Sequence, residues 1–212
     1  MNKRFLTLIC LSLSWLPGAG ASPSVELKVQ GMIKPAACEL IFANGGTVDV
    51  GVISKRLLNQ QKRTLLPDEK INFSIICDAP ARVSLDLKDH RAGTAAANAS
   101  LKPLPFLFGL GTVDARNVGA YTLSFDEEAT ADQKPMRMVM AENQTDWGWS
   151  NSFLMPNRRH SWTMHQSGYL PTPFSTLTGV IILAPAVAPA RDLPTQDEIA
   201  LDGLASFELN YL

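Results

Sequence analysis

The clearest structural signal in this chain lies in residues 199–212, which read IALDGLASFELNYL. Apolar or small residues occupy every second position from Ile199 to Tyr211, and several of the positions between them are polar. A period of two is typical of a β-strand that buries one face and exposes the other. We therefore predict a half-buried strand at this end. Its inward face would consist of Ile199, Leu201, Gly203, Ala205, Phe207, Leu209 and Tyr211.

The same alternation recurs upstream in short segments that are separated by turn residues. No amphipathic helix of ten residues stands out after the N-terminal segment, whereas nine or ten short strands do. Short strands with turn signals between them predict an all-β fold, an antiparallel sandwich in one domain. Two connecting stretches are also predicted, a long loop over 89–100 and a segment over 185–194 that holds three prolines. The other predicted strands fall near residues 25–29, 39–42, 47–53, 71–77, 83–87, 106–111, 118–125, 136–140, 161–165 and 177–184.

Residues 1–21 have the layout of a secretory signal peptide. Lys3 and Arg4 precede an apolar stretch that is too short to span a membrane, and Ala19-Gly20-Ala21 fits a signal-peptidase site. We expect cleavage before Ser22 and export of the remaining chain. A retained N-terminal membrane anchor is the alternative interpretation.

The cysteines agree with an exported chain. Cys10 would leave with the signal peptide, and Cys38 and Cys77 would remain. Two cysteines in an oxidising compartment predict one disulfide, with two buried free thiols as the alternative. A zinc site is disfavoured because neither cysteine belongs to a C-x-x-C pair.

Composition excludes several classes of protein. The 212 residues are 46% hydrophobic and 18% charged, with a formal net charge of −1. This charge argues against a nucleic-acid partner, because neutralising phosphates requires a basic surface. The longest apolar run outside the N-terminus stops at Pro185, well short of the ~20 residues that cross a bilayer.

Four motifs in order suggest a family. They are Gly31-Met32-Ile33-Lys34-Pro35-Ala36-Ala37-Cys38, Val48-Asp49-Val50-Gly51, Phe73-Ser74-Ile75-Ile76-Cys77, and Asp202-Gly203 followed by the alternation to the penultimate Tyr211. Behind a signal peptide, this series resembles chaperone–usher fimbrial subunits, in particular the beta-type fimbrial subunits. The motifs cover about residues 25–85 and 195–212, and the middle of the chain has no counterpart among them.

The resemblance implies a fold and a mechanism. Such subunits have an immunoglobulin-like sandwich that lacks its last strand, which leaves an apolar groove and an unpaired sheet edge. A periplasmic chaperone lends a strand, and the N-terminal extension of a neighbouring subunit later replaces it at the outer-membrane usher. The implied function is that of a structural subunit of a surface fimbria that contributes to adhesion. The implied location is the periplasm and then the cell surface.

Carried onto this chain, the resemblance divides it into a signal peptide (1–21), a donor-strand extension (22–30) and a sandwich domain (31–212). Val25, Leu27 and Val29 would be the donor side chains. The groove and chaperone contacts would be Ala205, Phe207, Leu209, Tyr211 and Leu212, with the Leu212 carboxylate on a cationic anchor of the chaperone. The extension is only nine residues long and lacks the internal glycine of many relatives. Its alternative role is the first strand of a complete sandwich.

Motifs for catalysis and metal binding are weak. His160 and His165 would lie on opposite faces of a strand, and His90 falls in a predicted loop, so no three ligands converge. There is no G-x-S-x-G motif and no phosphate-binding glycine loop. We therefore predict neither an enzyme nor a cofactor, metal ion included. An unrelated secreted β-sandwich, enzymatic or not, is a further alternative.

The tryptophans leave two interpretations open. Trp147 and Trp149 lie near Phe153, Trp162 and several amide side chains. Exposed tryptophans could stack on a sugar, which would make the protein a minor or tip adhesin that binds a host glycan. Large aromatic side chains more often belong to a core, so the favoured interpretation is that these tryptophans cover the sandwich core or line the subunit groove.

Overall fold

The computed structural model describes residues 27–32, 37–100, 102–126, 129–143, 145–194 and 198–212. The chain divides into two units, Met1–Lys34 and Pro35–Leu212. In the first unit, residues 27–32 form no strand, and Leu27 and Val29 are 90% and 88% exposed. The strand predicted near 25–29 is therefore absent from its described part. Val25 and the predicted signal peptide lie outside the described residues.

The second unit is built from β-strands and short 3₁₀ turns, without an α-helix in its described residues. The strands are β1 (Cys38–Phe42), β2 (Thr64–Leu65), β3 (Glu69–Ala81), β4 (Val83–Asp89), β5 (Phe108–Gly109), β6 (Thr112–Val113), β7 (Arg116–Asn117), β8 (Gly119–Phe125), β9 (Ala129–Ala131), β10 (Lys134–Ala141), β11 (Trp147–Trp149), β12 (Phe153–Leu154), β13 (Arg159–Thr163), β14 (Phe174–Val187) and β15 (Ala205–Tyr211). The 3₁₀ turns are Ala43–Gly46, Lys55–Leu57, Ala97–Ala99, Leu104–Phe106 and Ala190–Asp192.

One sheet is organised around the long strand β14. β14 pairs with β3 and β2 on one side and with β8 and β9 on the other, all antiparallel. β1 extends this sheet beyond β3, and β5 and β12 extend it beyond β8. β1 is therefore at the edge of the first sheet.

The second sheet has the order β11-β10-β13-β4-β15, again antiparallel. β10 connects the two sheets, because Lys134–Met136 pair with β9 while the following residues pair with β13. β11 and β15 are the two outer strands of this sheet.

The hydrophobic core lies between the two sheets. Phe73 and Ile75 of β3 face Val83 and Leu85 of β4, and all four are nearly fully buried. Trp162 of β13 fills the centre, where it contacts Phe73, Phe125 and Phe174. The predicted all-β sandwich is confirmed.

A disulfide joins β1 to β3. Cys38 and Cys77 are bonded and are register partners in the β1–β3 ladder. The predicted disulfide is therefore confirmed, and it ties the edge strand of the first sheet to its neighbour.

Three further strand predictions differ from the structure in their bounds. β14 continues through Pro185 to Val187, because Pro185 accepts a hydrogen bond from Leu66 N–H through its carbonyl and needs no N–H on that side. The C-terminal strand begins at Ala205 rather than Ile199. The stretch 106–111 contains only β5, after a 3₁₀ turn.

Candidate functional site

Two sheet edges face one another at the side of the sandwich. Within the described residues, β1 pairs only with β3, and β15 pairs only with β4. Each of the two strands therefore has one side without a strand partner. An unpaired edge presents a row of N–H and C=O groups that another strand can satisfy.

The ladder register fixes which backbone groups of β15 point outward. Leu212 N–H donates to Arg82 O at 3.0 Å, and His90 N–H donates to Leu204 O at 2.9 Å. Antiparallel ladders alternate between bonded and non-bonded residue pairs. The even-numbered residues of β15 therefore bond to β4, and the odd-numbered residues Ala205, Phe207 and Leu209 direct their N–H and C=O groups to the free side.

The same reasoning applies to β1. Asp78 N–H donates to Ala37 O at 2.9 Å, which places the odd-numbered residues in bonded pairs with β3. Cys38, Leu40 and Phe42 therefore point their backbone groups away from β3. Their half-buried side chains face the core, so one set of residues supplies both the free backbone groups and the apolar wall.

An apolar groove of about 600 Å³ separates these edges. The residues that line it carry no charged side chain. They come from β1, the turn after it, β3, β8, β14 and the start of β15. Side chains at the centre of the lining include Leu40, Phe42, Val48, Val50, Leu123, Ile181, Leu201, Ala205 and Phe207.

A second cavity of about 560 Å³ continues along the same segment. It shares Val48, Val50 and Leu201 with the first cavity and reaches Leu58 and Leu193. Asp49, Lys55 and Glu198 also line it, so this portion is less uniformly apolar. Together the two cavities make an elongated groove rather than a single compact pocket.

Residues 47–53 form one wall of the groove without forming a strand. The prediction of a strand here is wrong, since within the described part of the chain no strand pairs with this segment. Val48 and Val50 are half-buried, as the alternation indicates, but Val52 is fully exposed. Gly51 explains the break: its φ is +70°, and its N–H donates to Asp49 Oδ1 at 2.8 Å, which turns the chain.

The groove is closed at one end by side chains from both edges. Cys38 N–H donates to Tyr211 Oη at 2.6 Å, a contact between residues 173 positions apart. The rings of Phe42 and Phe207 lie 4.9 Å apart between centroids. Tyr211 therefore satisfies one of the outward N–H groups of β1 in the place where an added strand would supply a carbonyl.

The start of β15 is held by an ion pair. Arg91 donates to both carboxylate oxygens of Asp202, at 2.9 and 2.8 Å, and this hydrogen bonding lowers the pKa of Asp202. Asp202 N–H in turn donates to Leu110 O. A Cβ on the next residue, Gly203, would lie 2.9 Å from the ring of Tyr121, so only glycine fits there without displacing the ring.

The residues predicted for the acceptor site lie together on this edge. Ala205, Phe207 and Leu209 are half-buried beside the core, and β15 and β1 flank the groove. Tyr211 and Leu212 are exposed at the closed end. The residues predicted to be donors belong to the first unit, where Leu27 and Val29 are exposed.

One tryptophan lies in the core, and another is exposed at the surface. Trp162 is fully buried in the core, as the favoured interpretation predicts. Trp147 and Trp149 instead lie on β11, an outer strand of the second sheet, where Trp147 is partly buried and Trp149 is 66% exposed. For Trp149, the core interpretation is wrong.

The histidines are dispersed. His160 is fully buried on β13 and accepts a hydrogen bond from Met155 N–H at Nε2, and burial lowers its pKa to about 4. His90 Nε2 is hydrogen-bonded to Ser206 Oγ. Among the described residues, no three His, Cys, Asp or Glu side chains are arranged to hold a metal ion.

Two features of these surfaces were not predicted from the sequence. The bond between Tyr211 and Cys38 depends on a register between distant strands, although the aromatic at the end of the alternation placed Tyr211 on the inward face. Arg137 alternates with the buried Met136 and Met138 along β10, so its side chain lies on the outward face. Arg137 contacts Gly168 and Tyr169, which belong to a loop, and no sequence pattern links this loop to β10.

No helix in the described part of the chain is long and apolar enough to cross a membrane. Residues 27–122 match a family described as "Protein of unknown function (DUF1120)". The chain is also similar to "Uncharacterized protein YhcF" of Escherichia coli (strain K12), with 25% identity over an alignment of 233 residues. That alignment covers 97% of this chain and 98% of the relative, so the similarity extends over nearly the full length of both proteins.

Proposed function

We propose that this protein is a structural subunit of a surface fimbria, assembled by adding an extended strand of a neighbouring subunit to its groove. The observation that carries the proposal is the pair of free sheet edges, β1 and β15, on either side of an apolar groove. Such an arrangement suits strand addition, in which backbone hydrogen bonds give affinity and alternate side chains fill pockets.

The chemistry of the groove favours an apolar strand as the occupant. The lining of the first cavity contains no charge, and its walls are half-buried side chains such as Phe42, Val50 and Phe207. Leu27 and Val29 have the spacing and the apolar character that alternate pockets require, and they are exposed in their own unit. The proposed assembly therefore places residues 22–30 of one subunit in the groove of the next.

The further parts of the proposal follow from the resemblance in sequence. The chain would be exported, its groove would first receive a strand from a periplasmic chaperone, and an outer-membrane usher would exchange that strand for a subunit. The alternating residues of β15 and the exposed Leu212 would contact the chaperone. The subunit would act without enzymatic activity or cofactor.

A complementation experiment tests the proposal with the exported chain. Leu27→Asp removes the donor and leaves the groove intact, whereas Val50→Asp places a charge in the groove and leaves the donor intact. A buried unpaired charge is far more costly than the lost apolar contact. Each variant alone should remain monomeric in light scattering after gel filtration, and an equimolar mixture should form a 1:1 dimer.

Val52→Asp is the matched control. Val52 lies two residues from Val50, at the rim of the second cavity, but its side chain is fully exposed, so a charge there stays in water and this variant should associate as the unmodified chain does. The proposal is contradicted if the unmodified chain is monomeric and a synthetic peptide of residues 22–32 fails to bind it. It is also contradicted if Val50→Asp and Val52→Asp behave alike.

A second candidate function is that of a minor or tip subunit that binds a host glycan. The observation that favours it is the exposure of Trp149 on an outer strand, since a large exposed aromatic provides a stacking surface for a sugar ring. β11 and β15 are opposite edges of the second sheet, so this surface and the groove are separate. Loss of glycan retention in Trp149→Ala, with self-association unchanged, would support this candidate.

A further inference from the structure

The outward face of the second sheet brings Trp149 near an arginine. Trp149 pairs with Val139 across the β10–β11 ladder, so the two side chains share a face. Arg137 precedes Val139 by two residues and lies on the same face. Diagonal neighbours of this kind are about 7 to 8 Å apart, which is within reach of long side chains.

A loop holds the arginine from its other side. Arg137 Nη2 donates to Gly168 O at 2.7 Å, and its guanidinium lies 5.2 Å from the centroid of the Tyr169 ring. Thr163, the register partner of Arg137, donates through its hydroxyl to Leu170 O at 2.6 Å. These bonds fix residues 168–170 against the outward face, with Tyr169 44% exposed.

The charge of Arg137 is not compensated within the described residues. Its side chain is partly buried, it forms no ion pair with a described carboxylate, and its Nε is buried without a hydrogen-bond partner. A guanidinium in this position gains most from an external carboxylate, which its planar donors can bind in a bidentate way. The site therefore combines one cation with exposed aromatic rings.

We infer that Arg137, Trp149 and Tyr169 form a site for an acidic sugar, such as a uronic acid or a sialic acid. The ring of the sugar would stack on Trp149, and its carboxylate would bind the Nη atoms of Arg137. This inference rests on the second candidate function and names its ligand class. It is independent of strand addition, because none of these three residues lines the groove.

A matched pair of ligands tests the inference. Methyl β-glucuronide and methyl β-glucoside share a ring and differ only in the carboxylate, so their affinity ratio isolates the contribution of the charge. We expect the exported chain to bind the glucuronide at least tenfold more tightly in NMR titrations. Arg137→Met should reduce this ratio to near one, and Arg137→Lys should restore part of it.

Controls separate this site from general charge effects and from loss of fold. Arg116→Met removes an exposed arginine that donates to a backbone carbonyl elsewhere, and it should leave the ratio unchanged. Thermal unfolding of each variant checks that the fold is retained.

The outcomes distinguish the inference from the function on which it rests. If Trp149→Ala abolishes binding of both glycosides while Arg137→Met leaves their ratio unchanged, glycan binding stands and the acidic-sugar inference is wrong. If neither glycoside binds, both the inference and the second candidate function are wrong. Self-association in the complementation experiment is unaffected by either result.

Discussion

β1 and residues 47–53 follow one another along the same wall of the groove, yet only one of them is a strand. Both have alternating apolar side chains, and Leu40, Phe42, Val48 and Val50 all line the groove. β1 pairs with β3 over its whole length and is tied to it by the disulfide. Residues 47–53 have no ladder partner among the described residues.

The contrast between the two segments shows what the alternation of apolar residues determines. It decides which side chains face the core, and both segments obey it until Gly51 turns the chain. It does not decide whether a partner strand is present. Backbone groups without a partner must bond to water or to another chain, so the free edges of β1 and β15 beside this segment are where an added strand gains hydrogen bonds.

The largest expected effect comes from removing the covalent tether of β1. The disulfide spans a separation of 39 residues, and closing a loop of that length is worth ~4 kcal/mol in the chain-entropy model. Cys38→Ala with Cys77→Ala should lower the free energy of unfolding by about this amount in urea titrations. Amides of β1 should exchange faster, while those of 47–53 should not change.

Reduction of the unmodified chain is the control for that double variant and should give the same loss of stability. A loss below ~1 kcal/mol would show that pairing with β3 alone holds β1, and the contrast between the two segments would then not depend on the disulfide.

Acidification should destabilise the paired strands β13 and β4, where His160 is buried. Burial lowers the pKa of His160 from 6.5 to about 4, so the folded state resists the protonation that the unfolded chain accepts. Stability is therefore full above pH 6.5 and decreases as the pH falls toward 4, by about 3 kcal/mol for this group. Urea titrations at pH 7, 5.5 and 4 measure this slope.

His160→Gln cannot take up the proton and should flatten that part of the pH dependence. His160 pairs with Leu85 across β13 and β4, so exchange in these strands should increase on acidification. An equally steep pH dependence in the variant would place the acid-sensitive group elsewhere.

The smallest effect is expected at the closed end of the groove. Tyr211→Phe removes the acceptor of Cys38 N–H and should cost about 1 kcal/mol of stability or less. It also frees an outward N–H of β1, so a peptide of residues 22–32 should bind severalfold faster. Stopped-flow fluorescence with a labelled peptide measures the rate.

Tyr169→Phe is the matched control, because Tyr169 is exposed and does not line the groove. Slower binding to Tyr211→Phe than to this control would mean that the tyrosine helps the peptide to enter rather than competing with it.

Sequence patterns predicted the parts of the fold that depend on local alternation. The inward faces of β3, β4 and β15 follow from periodicity, and the disulfide follows from the count of cysteines in a chain predicted to be exported. Alternation could not predict that residues 47–53 have no partner strand among the described residues, because strand pairing depends on which distant segment of the chain lies alongside.

The candidate sites, too, could be predicted from local sequence patterns only in part. Ala205, Phe207 and Leu209 were placed on one face by their spacing, but the groove exists only because β15 and β1 lie at the edges of two different sheets. The residues that neighbour Trp149 in the sequence do not distinguish it from the buried Trp162. Its exposure results from the position of β11 at the end of the second sheet.

The most direct test of strand addition is residue-resolved amide exchange of the Leu27→Asp chain, with and without a peptide of residues 22–32. Exchange reports the hydrogen bonding of individual amides. Strand addition on β15 predicts that the peptide slows exchange at the odd-numbered Phe207 and Leu209 and leaves Ser206 and Glu208, already bonded to β4, unchanged. Protection that ignores this alternation, or no protection on β15, would contradict it.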